Sequence, residues 1–322
     1  MKTRKFYFLI LLISMFAIII SCNVKTKIEN AEYYEKIDGI YLNYTIKGNG
    51  PFMFVGHPNS GKIGYEMTLK PLEEKFTMVY YDPRGTGKSE APQKLEDYNS
   101  DHLSKELDLL RKKVGADKIW IFGHSDKSAV ALQYSVEHPE HVSGLILTGT
   151  SFIGDMDETI KRRKDSEIKR KSESKWFSQV VDDWEYMYVN KTDTDKSGRN
   201  LADSPIKWWA YDEESSQKVI PIVKVISEAG RRKPVAGKHF VETTYQRQKY
   251  LEIQKKFKNS KVKTLIINGK FDTNNSPKFA EQLHRNLLNS KLVLLDKSGH
   301  FPWIEEPEKT FEEIFKWLQE SF

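Results

Sequence analysis

The chain is predicted to be an α/β protein, with a mostly parallel central sheet, helices on both faces and an inserted helical cap. Three observations predict this. Short apolar runs alternate with amphipathic helical stretches as far as about residue 150. That alternation then lapses into charged, helix-like sequence carrying Trp176, Trp184, Trp208, Trp209 and Tyr211. It resumes at Val262 and continues to the end. A β–α rhythm needs crossover helices, and these cover a parallel sheet on both sides.

The elements follow in order. Residues 33–46 alternate about Asp38-Gly39, a hairpin pattern. Residues 51–55 form a buried strand that runs into the turn-rich segment 56–61, and 76–81 is the next strand. Asn99, Ser100 and Asp101 offer helix caps before Leu103, Leu107, Leu110 and Val114, which recur at helical spacing, and Gly115 closes that helix. The strand 118–122 leads through Gly123-His124-Ser125 into a helix containing Ala129, Val130, Leu132 and Val136, which must stop near His138-Pro139. Residues 144–149 are another strand. After the insertion come a strand at 262–268, a helix at 277–287, a strand at 292–295 and a last helix at 307–318. The expected organisation is a leader at 1–22, a polar linker at 23–31, core at 32–151, helical cap at 152–259 and core again at 260–322.

The amino terminus addresses location. Lys2, Arg4 and Lys5 precede fifteen residues, 6–20, broken only by Ser14. This is short for a spanning helix and suits a signal peptide. It ends in Ile19-Ile20-Ser21-Cys22, which resembles a bacterial lipobox, with Cys22 the only cysteine in the chain. Lipidation at Cys22 is expected to anchor the protein to a membrane, outside the cytoplasm, in the cell envelope, since about two acyl chains make a stable anchor. One cysteine excludes an internal disulfide.

The net charge of +6 is modest, and much of it lies in the first five residues and in eight basic side chains between Lys161 and Lys175. No zinc-finger, helix-turn-helix or RNA-binding pattern accompanies them, so no nucleic-acid partner is expected. A solvated helix face explains the cluster, and contact with anionic lipid headgroups is the minority reading. Neither metal-ligand spacing nor a dinucleotide fingerprint appears, so no metal or cofactor is expected. The sequence does not address oligomeric state.

The chemistry rests on three residues. Ser125 follows a strand and precedes a helix, the context of a nucleophile elbow. Asp272 lies just past the strand at 262–268, and His300, in Ser298-Gly299-His300-Phe301-Pro302, just past that at 292–295. A serine hydroxyl is a poor nucleophile until an imidazole takes its proton, and a carboxylate must hold that imidazole in the right tautomer. Each residue alone is weak: Gly-x-Ser and Gly-x-x-Asp are common, and a Gly-His pair often serves the core. Their chain order, each at the carboxyl end of a strand, gives them joint weight.

With Asp82-Pro83-Arg84-Gly85-Thr86-Gly87-Lys88-Ser89 and the His300 segment followed by Glu306-Pro307-Glu308, the chain resembles α/β-hydrolase-fold serine hydrolases, closest to the group of proline iminopeptidases and small esterases. The resemblance covers about 38–151 and 260–322. It implies a metal-free acyl-enzyme mechanism with a Ser125–Asp272–His300 triad, a structural Asp82 turn, and an oxyanion hole from the N–H groups of His57 and Asp126. Two departures stand out. Lys127 replaces the glycine usual two residues after the nucleophile, and residues 55–59 replace the family's His-Gly-Gly-Pro-Gly.

Asp126 has two readings: a carboxylate favoured by the helix dipole, which needs no ligand, or an acceptor for a substrate ammonium. Trp208 and Trp209 are the first candidates for a substrate-facing wall, against a packing role, and His124 is expected to point away from the site. The function expected is a cell-envelope serine hydrolase acting on a small carboxylic ester. The alternatives are a proline iminopeptidase-like aminopeptidase or amino-acid ester hydrolase acting on short peptides or esters, and an inactive surface binding protein on the same scaffold.

Overall fold

The computed structural model describes residues 30–150, 156–230, 252–258 and 260–321. Eight strands make one sheet: β1 (Glu32–Ile37), β2 (Ile40–Gly48), β3 (Phe52–Val55), β4 (Thr77–Tyr81), β5 (Ile119–His124), β6 (Val142–Thr148), β7 (Thr264–Gly269) and β8 (Ser290–Leu295). Their spatial order is β1-β2-β4-β3-β5-β6-β7-β8. β2 pairs antiparallel with β1 and with β4, and every later pairing is parallel. Asp38 at φ 47° and Gly39 at φ 84° turn the β1–β2 hairpin, the paired left-handed conformations that suit strand twist.

Strand alternation divides the core. Phe54, Val79, Ile121, Leu145 and Ile266 face one side, against Leu107 and Leu110 of the helix Ser100–Lys113 and Leu283 of the helix Pro277–Asn286. Met53, Tyr80, Trp120, Ile146 and Leu265 face the other, against Phe311, Ile314 and Trp317 of the helix Pro307–Ser321. The spacing of three residues in that last trio is the apolar stripe of an amphipathic helix. Asn99 caps Ser100–Lys113 by accepting the His102 N–H at 2.9 Å.

The Asp82 turn is a structural knot. Asp82 accepts the N–H groups of Lys62 at 2.8 Å and Lys88 at 3.0 Å, and Ser89 Oγ donates to its carbonyl at 2.6 Å. Arg84 pairs with the buried Glu106 at 3.0 Å and with Asp38 at 2.7 Å.

Between β6 and β7 lie the helices Met156–Glu173, Lys175–Asn190, Ser204–Lys207 and Glu213–Val225, with turns and a Thr194–Asn200 bridge over 191–203 and residues 252–258 before β7. Phe177, Val180, Val181 and Trp208 form a small core within this segment. Two short helices, Ile63–Thr68 and Pro302–Glu305, carry too little periodicity to stand out in the sequence. The leader, Cys22 and the linker as far as residue 29 lie outside the described residues, as do 151–155, 231–251 and 259 of the insertion. Among the described residues, no helix is long and apolar enough to cross a membrane.

Candidate active site

β5 ends at His124, and the helix Asp126–Glu137 begins one residue after Ser125. Ser125 therefore carries the whole reversal, at φ 50° and ψ −125°. A residue with a side chain holds such a backbone at a cost of roughly 1–3 kcal/mol, and only where its surroundings dictate it. Here the Ser125 N–H donates to the Thr148 carbonyl at 3.1 Å, and the Ser128 N–H closes on the Ser125 carbonyl at 2.9 Å. Strand and helix pack closely at Gly123, where a Cβ would lie 3.1 Å from the Ser128 Cα and 2.9 Å from Leu147 of β6.

β7 and β8 deliver the other two residues. His300 Nδ1 and Asp272 Oδ2 lie 2.9 Å apart, both residues buried. The Nδ1–H donates to the carboxylate, which leaves Nε2 as the acceptor, the tautomer a general base needs. Asp272 is held in turn by the Asn275 N–H, 2.8 Å from Oδ1. Two amides from the same loop reach the chemistry. Asn275 Nδ2 donates to the Gly149 carbonyl at 2.7 Å and lies 3.5 Å from Ser125 Oγ, and Asn274 Nδ2 lies 3.5 Å from His300 Nε2. The polar run Thr273-Asn274-Asn275-Ser276 after Asp272 was their one signal in the sequence.

Ser125 and His300 line one cavity of about 520 Å³, together with His57, Asn59, Asp126, Arg163, Trp209 and Trp303 among others. Of the two candidate tryptophans only Trp209 reaches it. Trp208 is a correction: it packs edge-on against Trp184 with ring centroids 5.3 Å apart, and its Nε1–H donates to Glu167 at 2.7 Å. His124 is a second correction, because it lines the cavity instead of pointing away. Its Nε2 lies 3.0 Å from the His300 carbonyl, which only accepts, so Nε2 carries the proton and Nδ1 accepts from Tyr65 Oη at 2.9 Å. Burial, with His300 and His57 nearby, holds its pKa well below the usual histidine range, so the ring is neutral.

His57 does not offer the oxyanion donor that the resemblance assigned to it. Its N–H donates to the Gly61 carbonyl at 3.0 Å across a tight turn in which Gly61 has φ 62°. The Asp126 N–H opens its helix, at the positive end of the dipole. The Asp126 carboxylate accepts from Asn59 Nδ2 at 2.5 Å, while Asn59 Oδ1 is buried with no hydrogen-bond partner. Reversing that amide would press its oxygen against the carboxylate oxygen, so the orientation is set by the contact.

Lys127 turns inward, not outward. It is buried, its Nζ donates to Tyr81 Oη, and the ammonium sits 4.8 Å from the centroid of the Tyr81 ring. Desolvation lowers its pKa to about 7, with the Glu106 charge opposing. The elbow thus accommodates a lysine by running its stem under the helix.

The alpha/beta hydrolase fold family matches residues 52–307, and the chain belongs to it. It is a serine hydrolase of the esterase or aminopeptidase type. Among its relatives, a proline iminopeptidase from Saccharolobus solfataricus is 27% identical, covering 90% of this chain and 93% of that protein. One from Clostridium botulinum is 25% identical, covering 83% and 88%. In structure, a proline iminopeptidase-related protein from Thermus thermophilus is similar with TM-score 0.68 and 20% identity, covering 91% of this chain and 98% of that one. A thermophilic esterase from Thermogutta terrifontis has TM-score 0.62 and 18% identity, covering 90% and 98%.

Proposed function

We propose that this protein is a serine aminopeptidase that releases amino-terminal residues from short peptides, with Ser125 as nucleophile, His300 as base and Asp272 orienting the imidazole. His300 Nε2 takes the Ser125 proton as Oγ attacks the carbonyl carbon. The tetrahedral adduct collapses to an acyl-enzyme as the same proton passes to the leaving amine, and water repeats the sequence to free the acyl group. The observation that carries the peptide reading is the buried, unpartnered Asn59 Oδ1, beside the Asp126 carboxylate in the Ser125 cavity. An acceptor in that position calls for a donor, and a substrate ammonium supplies one. The proline iminopeptidase relatives support the same reading over the small ester first expected.

The test compares proline and alanine p-nitroanilides with p-nitrophenyl acyl esters. The reading expects turnover of the anilides, and expects Asp126→Asn to slow them about tenfold or more while sparing esters without an amine, since hydrogen bonds to charged groups contribute about 1.5–3 kcal/mol. Cleavage of esters alone, or equal slowing of both classes, would remove it.

The leader and Cys22 motivate a second part of the proposal: the enzyme is a lipoprotein of the cell envelope. A palmitate analogue fed to expressing cells is expected to label the wild type and not Cys22→Ser, and label retained in the variant would count against the anchor.

A further inference from the structure

The proposed triad leaves unused a buried carboxylate next to its base. Glu305, in the short helix Pro302–Glu305, is 3% exposed. Its Oε1 accepts the Phe301 N–H at 3.0 Å, and its Oε2 accepts those of Gly299 at 2.9 Å and Tyr211 at 2.8 Å. The first two donors flank His300. The His300 N–H itself donates to the Trp209 carbonyl at 2.8 Å. All three consecutive N–H groups that carry the imidazole are therefore committed, two of them to one side chain. The contact is backbone on backbone at Gly299, where a Cβ would lie 2.1 Å from the Trp209 oxygen.

We propose that Glu305 is a positioning residue for His300, and that the same carboxylate locks residues 209–211, which carry the cavity wall Trp209, onto the loop bearing the base. This inference rests on His300 being the general base. Arg170 secures the far side of the arrangement. Its guanidinium donates to the carbonyls of Ala210 and Tyr211, both at 2.9 Å, and to Thr273 Oγ1 at 2.8 Å, one residue from Asp272. One stretch of the cap segment is thereby tied to both the acid loop and the base loop, so Trp209 behaves as part of the catalytic frame.

Asp272 and Arg170 face Glu305 from inside, and Lys218 Nζ lies 3.4 Å from its main-chain carbonyl. Asp212, Glu214, Lys297, Glu306, Glu308 and Lys309 line the surface hollow on its outer side. Burial raises its pKa to about 7, against three stabilising N–H bonds. Above that value the carboxylate is charged, and a negative charge beside the His300 backbone favours the imidazolium.

Glu305→Gln tests the role. It keeps the size, removes the charge and points an N–H₂ at donors. kcat is expected to fall about 10- to 50-fold for esters and anilides alike, with KM within about twofold, because three charge-assisted bonds are weakened together. The acid limb of kcat/KM is expected to lose the Glu305 ionisation and move down by roughly half a pH unit. A variant with kcat within twofold and a superimposable acid limb would overturn the proposal. If Glu305→Gln does not fold, Glu305→Asp keeps the charge and shortens its reach, and is expected to lose kcat while retaining the limb; unchanged kcat overturns the role. The NMR titration of the His300 imidazole reads the charge effect without turnover, so a wild type inert to every acyl substrate would sink the hydrolase reading alone. An imidazole titration identical in wild type and Glu305→Gln would sink this one.

Discussion

Ser125→Ala is expected to lower kcat by about 10⁵- to 10⁶-fold, the loss that accompanies removal of the nucleophile from a serine triad. The size follows from the geometry. Ser125 holds the whole strand-to-helix reversal at φ 50°, beside a cavity whose base carries its proton on Nδ1 and has Nε2 unprotonated, with the Asn274 amide 3.5 Å away. Alanine keeps the backbone N–H on the Thr148 carbonyl and the cavity intact. Residual turnover then reflects binding and hydrogen-bond donors, which alone give roughly 10³–10⁴-fold over water. Two measurements belong together: covalent labelling by a fluorophosphonate probe, expected to vanish, and thermal stability, expected to stay within a few degrees. A folded variant that still labels, or retains more than about a hundredth of the wild-type rate, would place the nucleophile elsewhere. An unlabelled wild type would favour the inactive binding scaffold.

The parts of this molecule that the sequence disclosed are those governed by periodicity. Phe54 and Ile121 face one layer, Met53 and Trp120 the other, and a period of two shows this without long-range information. Ser125, Asp272 and His300 were legible for a related reason, since each follows directly on a strand whose apolar run marks its end. What stayed hidden depends on where side chains meet across the chain. Nothing local distinguishes Trp208, packed inside the cap segment, from Trp209, its neighbour on the cavity wall. The His57 N–H is taken by a carbonyl four residues on, through a turn that only Gly61 at φ 62° completes. Glu305 is one acid in an acidic stretch, and its three partners are backbone groups with no sequence code.

Lys127 joins stability to pH. With no carboxylate in contact among the described residues, the ammonium, buried on Tyr81, has its pKa lowered to about 7 from near 10.5. Between those two values the unfolded chain binds a proton that the folded chain does not, so this site adds stability as pH rises from 7 to 10.5. Below 7 both states are protonated and the full penalty applies, on the order of 5 kcal/mol at about 1.4 kcal/mol per pH unit. Lys127→Met fills nearly the same volume without a charge. It also strands the Tyr81 hydroxyl at a cost of about 1–3 kcal/mol and takes a countercharge from Glu106. The first effect is the larger at low pH and disappears at high pH. Lys127→Met is therefore expected to gain about 2 kcal/mol at pH 6 and to gain nothing, or lose stability, at pH 10, as measured by urea unfolding at each pH. A difference that does not change with pH would mean that the amine keeps its ordinary proton affinity in the fold. Destabilisation at pH 6 would mean that attraction to Glu106 outweighs desolvation.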